Sequence, residues 1–106
     1  MNWYPNIDYY CAARNPDGYK GKKCFFAGKI SQILYGENTT DYLMRVNGSP
    51  SMLVYVTINN RDKSSDPIDD ETVRVYGEYG GNCTYQTVFG TTVTKPLVIA
   101  HNIKRY

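Results

Sequence analysis

Arg45, Tyr55, Arg74 and Tyr76 are the side chains of this sequence with the most to offer a ligand. Each lies in a run that alternates with apolar residues. Tyr42, Met44 and Val46 oppose Leu43 and Arg45, and Met52, Val54, Val56 and Ile58 oppose Leu53, Tyr55 and Thr57. Val73, Val75, Gly77 and Tyr79 oppose Thr72, Arg74, Tyr76 and Glu78. Side chains alternate across a strand, so the first set of each run points to a core and the second points outward. Lys29 takes an outward position in a further run, Cys24 to Tyr35. Aromatic rings interleaved with Arg and Lys suit single-stranded nucleic acid, because a stacked base contributes about 1–3 kcal/mol while cations follow the phosphates. The same residue types also serve plain structure. Cross-strand aromatic pairs stabilise a sheet without any ligand, and outer-face arginines can simply be solvated.

The other reactive groups point to less chemistry. His101 is the single histidine, and its neighbours Ala100 and Asn102 supply neither nucleophile nor carboxylate; it reads as structural rather than as a general base. Asp66, Asp69, Asp70 and Glu71 form an acidic cluster without the EF-hand order of ligands and its central Gly, which reads as a solvated loop. Cys11, Cys24 and Cys83 show no CxxC and no Cys/His metal spacing. They read as reduced thiols packed as small apolar groups, one disulfide plus a free thiol being the alternative. Neither a P-loop nor a Gly-x-Ser-x-Gly elbow occurs. The expectation is a non-enzymatic protein with no metal or small-molecule cofactor.

Composition sets the frame. The chain has 106 residues, eleven of them Tyr, with 42% apolar and 21% charged residues and a formal net charge of +2. That size predicts one domain, 1–106, burying roughly two thirds of its unfolded surface. The mixed composition argues against wholesale disorder, and no run reaches the ~18 apolar residues of a membrane span. The charge is too mild to announce nucleic acid by itself, and it argues against an acidic mimic of DNA. Residues 1–8 lack the basic and apolar regions of a signal peptide, so the chain as given reads as cytoplasmic; an extracytoplasmic location follows if Met1 replaces a leader.

The elements that must position these side chains follow from the punctuation. Ile7 to Asn15 predicts a short helix, stopped by Asn15-Pro16-Asp17-Gly18. Strands are predicted over Cys24 to Tyr35, Asp41 to Asn47, Met52 to Ile58, Glu71 or Thr72 to Tyr79, and Pro96 to Lys104. In the first strand Cys24, Phe26, Gly28 and Ile30 oppose Phe25, Ala27, Lys29 and Ser31 before Ile33 breaks the phase, which predicts a bent barrel strand. Asn59 to Asp70 reads as a loop with a helical turn near Pro67, and Gly80-Gly81-Asn82 closes the fourth strand. Cys83 to Thr94 is either an added hairpin or a long ordered loop, and Pro96 is expected at a strand edge or start. Five strands of this kind suit a small closed barrel, since closure removes exposed edges.

A resemblance narrows this further. Asn15-Pro16-Asp17-Gly18-Tyr19-Lys20-Gly21-Lys22-Lys23, followed by Phe26-Ala27-Gly28-Lys29-Ile30 and Gln32, resembles the opening of OB-fold domains of the tRNA-anticodon-binding-like group. Such domains occur as small bacterial proteins, lipoprotein modules and mobile-element products. Two more blocks match that pattern: Asp70 with Val75-Tyr76-Gly77-Glu78-Tyr79-Gly80-Gly81, and Gly90 with Pro96, Val98, Ala100 and Ile103. The likeness covers nearly the whole chain, rests on glycines, turns and core positions, and departs at Cys24, where the family often has an aliphatic residue.

It implies an all-β, five-stranded Greek-key barrel of OB-fold type with a short N-terminal helix. It also implies a ligand on the outer face of strands 2 and 3 and on the loops between strands 1–2 and 4–5. That places Arg45 and Tyr55 on the binding face with Leu43 and Thr57, Lys29, Arg74 and Tyr76 on neighbouring strands, and Tyr85, Phe89 and Lys95 in or near the loop between strands 4 and 5. The partner expected is single-stranded nucleic acid. The alternative is a protein, bound by an inhibitor or adaptor such as a phage or mobile-element product that blocks a nucleic-acid-processing partner. Tyr42 and Tyr79 are assigned to the core; Tyr4, Tyr9 and Tyr106 have no assignment.

Overall fold

In the computed structural model, which describes residues 4–49, 51–63, 67, 68, 70–86 and 89–105 and only the backbone at Tyr85, five strands close into a barrel. They are β1 (Lys23–Tyr35), β2 (Thr39–Val46), β3 (Leu53–Asn59), β4 (Thr72–Gln86) and β5 (Thr92–Arg105). The order around the barrel is β1-β2-β3-β5-β4, with β4 returning to β1. All pairs are antiparallel except β3 with β5. This is the OB-fold-like Greek-key barrel that the alternation and the resemblance predict.

One long strand makes closure possible. The first half of β1, Lys23 to Lys29, pairs with β4, and its second half, Gly28 to Tyr35, pairs with β2. Gly28 is opposite both Val46 and Val73, and a Cβ there would run into the Arg45 carbonyl oxygen. The register slips between Ile30 and Gln32, a bulge where the sequence phase breaks. Inward residues interdigitate as the alternation requires: Cys24, Phe26 and Ile30 from β1, Tyr42, Met44 and Val46 from β2, Val54, Val56 and Ile58 from β3, with Val73, Val75 and Tyr79 from β4 and Val98, Ala100 and Ile103 from β5.

The N-terminal segment differs from expectation in detail. α1 runs from Tyr9 to Arg14, with the Asp8 carboxylate accepting from Cys11 N–H as its cap. The predicted stop is a junction instead. Asn15 leaves the helical region (φ −133°, ψ 64°), which a residue before proline avoids, and Pro16 then starts a one-turn helix, α2 (Pro16–Tyr19). Tyr9 and Ala12 are buried against the core, and the Tyr9 hydroxyl donates to the Leu53 carbonyl at 2.9 Å.

Two loop expectations are corrected. Gly80-Gly81-Asn82 does not end β4; it forms an irregularity within the strand, with Gly81 at φ +83°. β4 continues to Gln86 and β5 starts at Thr92, so the doubtful segment is a hairpin. Pro96 therefore sits inside β5, one residue before Leu97 begins the pairing with β3. After β3 the single turn is a 3₁₀ turn at Asn60–Asp62, fixed by Asn59 accepting from Arg61 N–H, rather than a turn near Pro67. No helix among the described residues is long and apolar enough to cross a membrane.

Candidate functional site

Tyr55 and Tyr76 are on different walls of the barrel. Tyr55 on β3 lies between Leu43 and Leu97, whereas Tyr76 on β4 lies between Phe25 and Asn102. From Leu97 to Asn102 is about 16 Å along β5 at the usual strand rise. The two tyrosines named together from the sequence cannot share one stacked base.

On the β2–β3 wall Tyr55 is tied to a carboxylate. Its hydroxyl donates to Asp41 Oδ2 at 2.6 Å, and Thr57 Oγ1 donates to Asp41 Oδ1 at 2.7 Å. Arg45 Nη2 donates to Ser31 Oγ at 3.3 Å. Leu43, although outward in phase, is buried. Burial, and after it the charge of Asp41, pushes the Cys83 thiol up. This wall carries one carboxylate, Asp41, held by two hydroxyls of the protein itself, and one arginine, Arg45.

The β1–β4–β5 wall gathers aromatic rings and lysines instead. The Tyr76 and Phe25 rings are 5.0 Å apart, tilted by 44°, and Tyr4 meets Tyr76 edge-on at 5.7 Å. Tyr4 also packs edge-on against His101 at 5.9 Å, its hydroxyl 3.1 Å from His101 Nδ1. Lys104 Nζ lies 5.8 Å from the Tyr76 ring centre and Lys23 Nζ 5.6 Å from that of Tyr4, both within cation–π range. The chain places Tyr4 here by backbone pairing: Phe25 N–H donates to the Pro5 carbonyl at 2.9 Å, and Asn6 bridges Phe25 in parallel.

The cationic side chains continue along this wall. Arg74 is opposite Ala27 and Lys104, and Lys29 is opposite Thr72 and Arg45. A depression of about 280 Å³ opens there, lined by Ala27, Gly28, Lys29, Asn47, Gly48 and Thr72. A larger one of about 400 Å³ lies by Asn38, Asn59 and Asn60. There the Asn60 amide already donates to the Gly36 and Glu37 carbonyls and accepts from Thr40.

Among the sequence-predicted residues, Tyr76, Arg74 and Lys29 thus share one wall, with Arg45 at its border, and Tyr55 lies on another. Lys95 is half-buried on the hairpin opposite Cys83, and Phe89 near its tip is 91% exposed. The Tyr85 side chain lies outside the described residues, as do Asp66, Asp69 and Tyr106. Glu71 is held below the usual carboxylate range by the Ile68 N–H and by Arg105. Among the described residues no three His, Cys, Asp or Glu side chains gather as metal ligands would.

Sequence reasoning missed Phe25, Tyr4, His101, Lys23 and Lys104. Phe25 was on the outward phase, which was its one signal; the others depend on how the barrel closes. A scan against protein-family models matches none, and a search of curated proteins finds no significant match.

Proposed function

We propose that this chain is a non-enzymatic OB-fold-like module that binds single-stranded nucleic acid on its β1–β4–β5 wall. The observation that carries the reading is the Phe25–Tyr76–Tyr4 cluster with Lys23 and Lys104 over its rings. Half-buried rings beside cations offer the two things a single strand needs, aromatic surface for the bases and charge for the backbone. Arg74 and Lys29 extend the positive track, and Tyr55 has a structural role as a partner of Asp41. The resemblance to tRNA-anticodon-binding-like OB domains supports the class of ligand. A cytoplasmic location, where such strands occur, belongs to the same reading.

Fluorescence anisotropy with a labelled oligonucleotide at 50 mM salt tests this. Binding that weakens about tenfold or more in Tyr76→Ala and is unchanged in Tyr55→Phe supports it. Absence of binding, or equal affinity in Tyr76→Ala, overturns it. A second reading, a protein-binding inhibitor or adaptor of phage or mobile-element type, has Phe89 in its favour, a large aromatic side chain 91% exposed near a hairpin tip.

A further inference from the structure

We infer that residues 4–6 form a strap that the bound strand displaces, and that the Tyr4 ring holds the place a base takes on Tyr76. This rests on the single-strand reading above and adds how that site is regulated. Tyr76 is half-buried. Among the described residues, Phe25 lies 5.0 Å, Tyr4 5.7 Å and Lys104 Nζ 5.8 Å from the centre of its ring. A base stacked on Tyr76 needs ring surface that these neighbours cover. Phe25 belongs to β1 and Lys104 to β5, and both strands are fixed by pairing to β4. Tyr4 is the one that comes from outside the barrel strands.

What holds the strap is small. At Phe25 one edge of β1 is paired with β4, and pairing of the other edge with β2 begins only at Gly28. That other edge is filled by the strap: Phe25 N–H donates to the Pro5 carbonyl at 2.9 Å, and Asn6 makes an isolated parallel bridge to Phe25. Pro5 has no N–H with which to continue a ladder. The Tyr4 hydroxyl is 3.1 Å from His101 Nδ1 at an exposed position, and its ring meets Tyr76 and His101 edge-on. An edge-on ring pair favours the closed arrangement by about two- to tenfold, whereas a stacked base contributes about five- to 150-fold. The strand therefore opens the strap. The place it gains suits a base. The Tyr76 ring is there for stacking, His101 Nδ1 for a polar atom of the base edge in place of the Tyr4 hydroxyl, and Lys23 Nζ, 5.6 Å from the Tyr4 ring centre, for a phosphate. Because only the open form binds, the closed strap lowers the apparent affinity by the fraction of chains that are open.

The test titrates a labelled hexanucleotide at 50 mM salt into the unmodified protein and into Tyr4→Ala. Tyr4→Ala binds about three- to tenfold more tightly, and in a Tyr76→Ala background the same change brings no gain. Amide exchange in the unmodified protein gives a second readout that needs no substitution. On binding, the Phe25 N–H loses the Pro5 carbonyl and exchanges faster, where a strand laid over an intact strap would slow it. Equal or weaker binding by Tyr4→Ala, or slower exchange at Phe25 in the complex, overturns the strap; if Tyr76→Ala still weakens binding, the single-strand reading stands without it. No binding by any of these proteins removes both.

Discussion

The Tyr55 hydroxyl reaches across the β2–β3 pair to Asp41 Oδ2 at 2.6 Å. The tyrosine that the resemblance would place against a ligand is therefore engaged by the protein's own carboxylate. Tyr55→Phe removes one hydrogen bond to a charged, half-buried acceptor and leaves the one from Thr57. A loss of about 1 kcal/mol in unfolding free energy is expected, read from urea denaturation, together with unchanged oligonucleotide affinity.

Tyr4 and Tyr76 make an edge-on pair on the opposite wall. A double-mutant cycle with Tyr4→Ala and Tyr76→Ala, measured by urea denaturation, is expected to give a coupling of about 0.5–1.5 kcal/mol. A coupling of zero would mean that the N-terminal segment does not rest on the wall in solution.

Salt dependence follows from how few cations lie on the wall. With about four phosphates neutralised, the logarithm of the binding constant should fall against the logarithm of salt concentration with a slope near −3. A flat dependence would argue for stacking alone, and a slope several times steeper for a larger basic surface.

Two buried acids set the alkaline limit of stability. Burial, helped by the charge of Glu78, pushes the Cys24 thiol up to about 12, and burial likewise pushes the Tyr79 phenol up to about 12, with Tyr9 and Cys24 adding. Their ordinary values are 9.0 and 10.0. Between those values and about 12 the unfolded chain releases protons that the folded chain keeps, so the stability present below pH 9 is lost as pH rises. Urea midpoints should decline above pH 9, and Cys24→Val should flatten the decline. Identical pH profiles for the two proteins would contradict this.

Gly28→Ala should cost about 3 kcal/mol or more, because its Cβ meets the Arg45 backbone where β1 is held on both sides. The shift of the urea midpoint measures it.

The core was legible because alternation records which face of each strand is covered. Tyr42 and Tyr79 were in phase with the core and are 1% and 0% exposed. Even the bulge near Ile30 left its mark as a broken phase. Phase says nothing about which strands become neighbours. Phe25 was outward in sequence, yet its place beside Tyr76 depends on β1 meeting β4. Tyr4 carried no signal, since its position depends on where Pro5 and Asn6 pair. The Gly80-Gly81 pair misled because a left-handed glycine serves a turn and a bulge equally well.

The register that sets Phe25 beside Tyr76 joins residues half the chain apart in sequence. Pairings of that span are the last to be rewarded during folding, because the intervening loop must close first, and domains dominated by them fold in milliseconds to seconds. A partly folded chain holding only the β1–β2–β3 meander would have a hydrophobic face but no aromatic platform. Recognition on that wall would then begin only when the barrel closes, so the kinetics of ligand capture by a refolding chain would report the closure step itself.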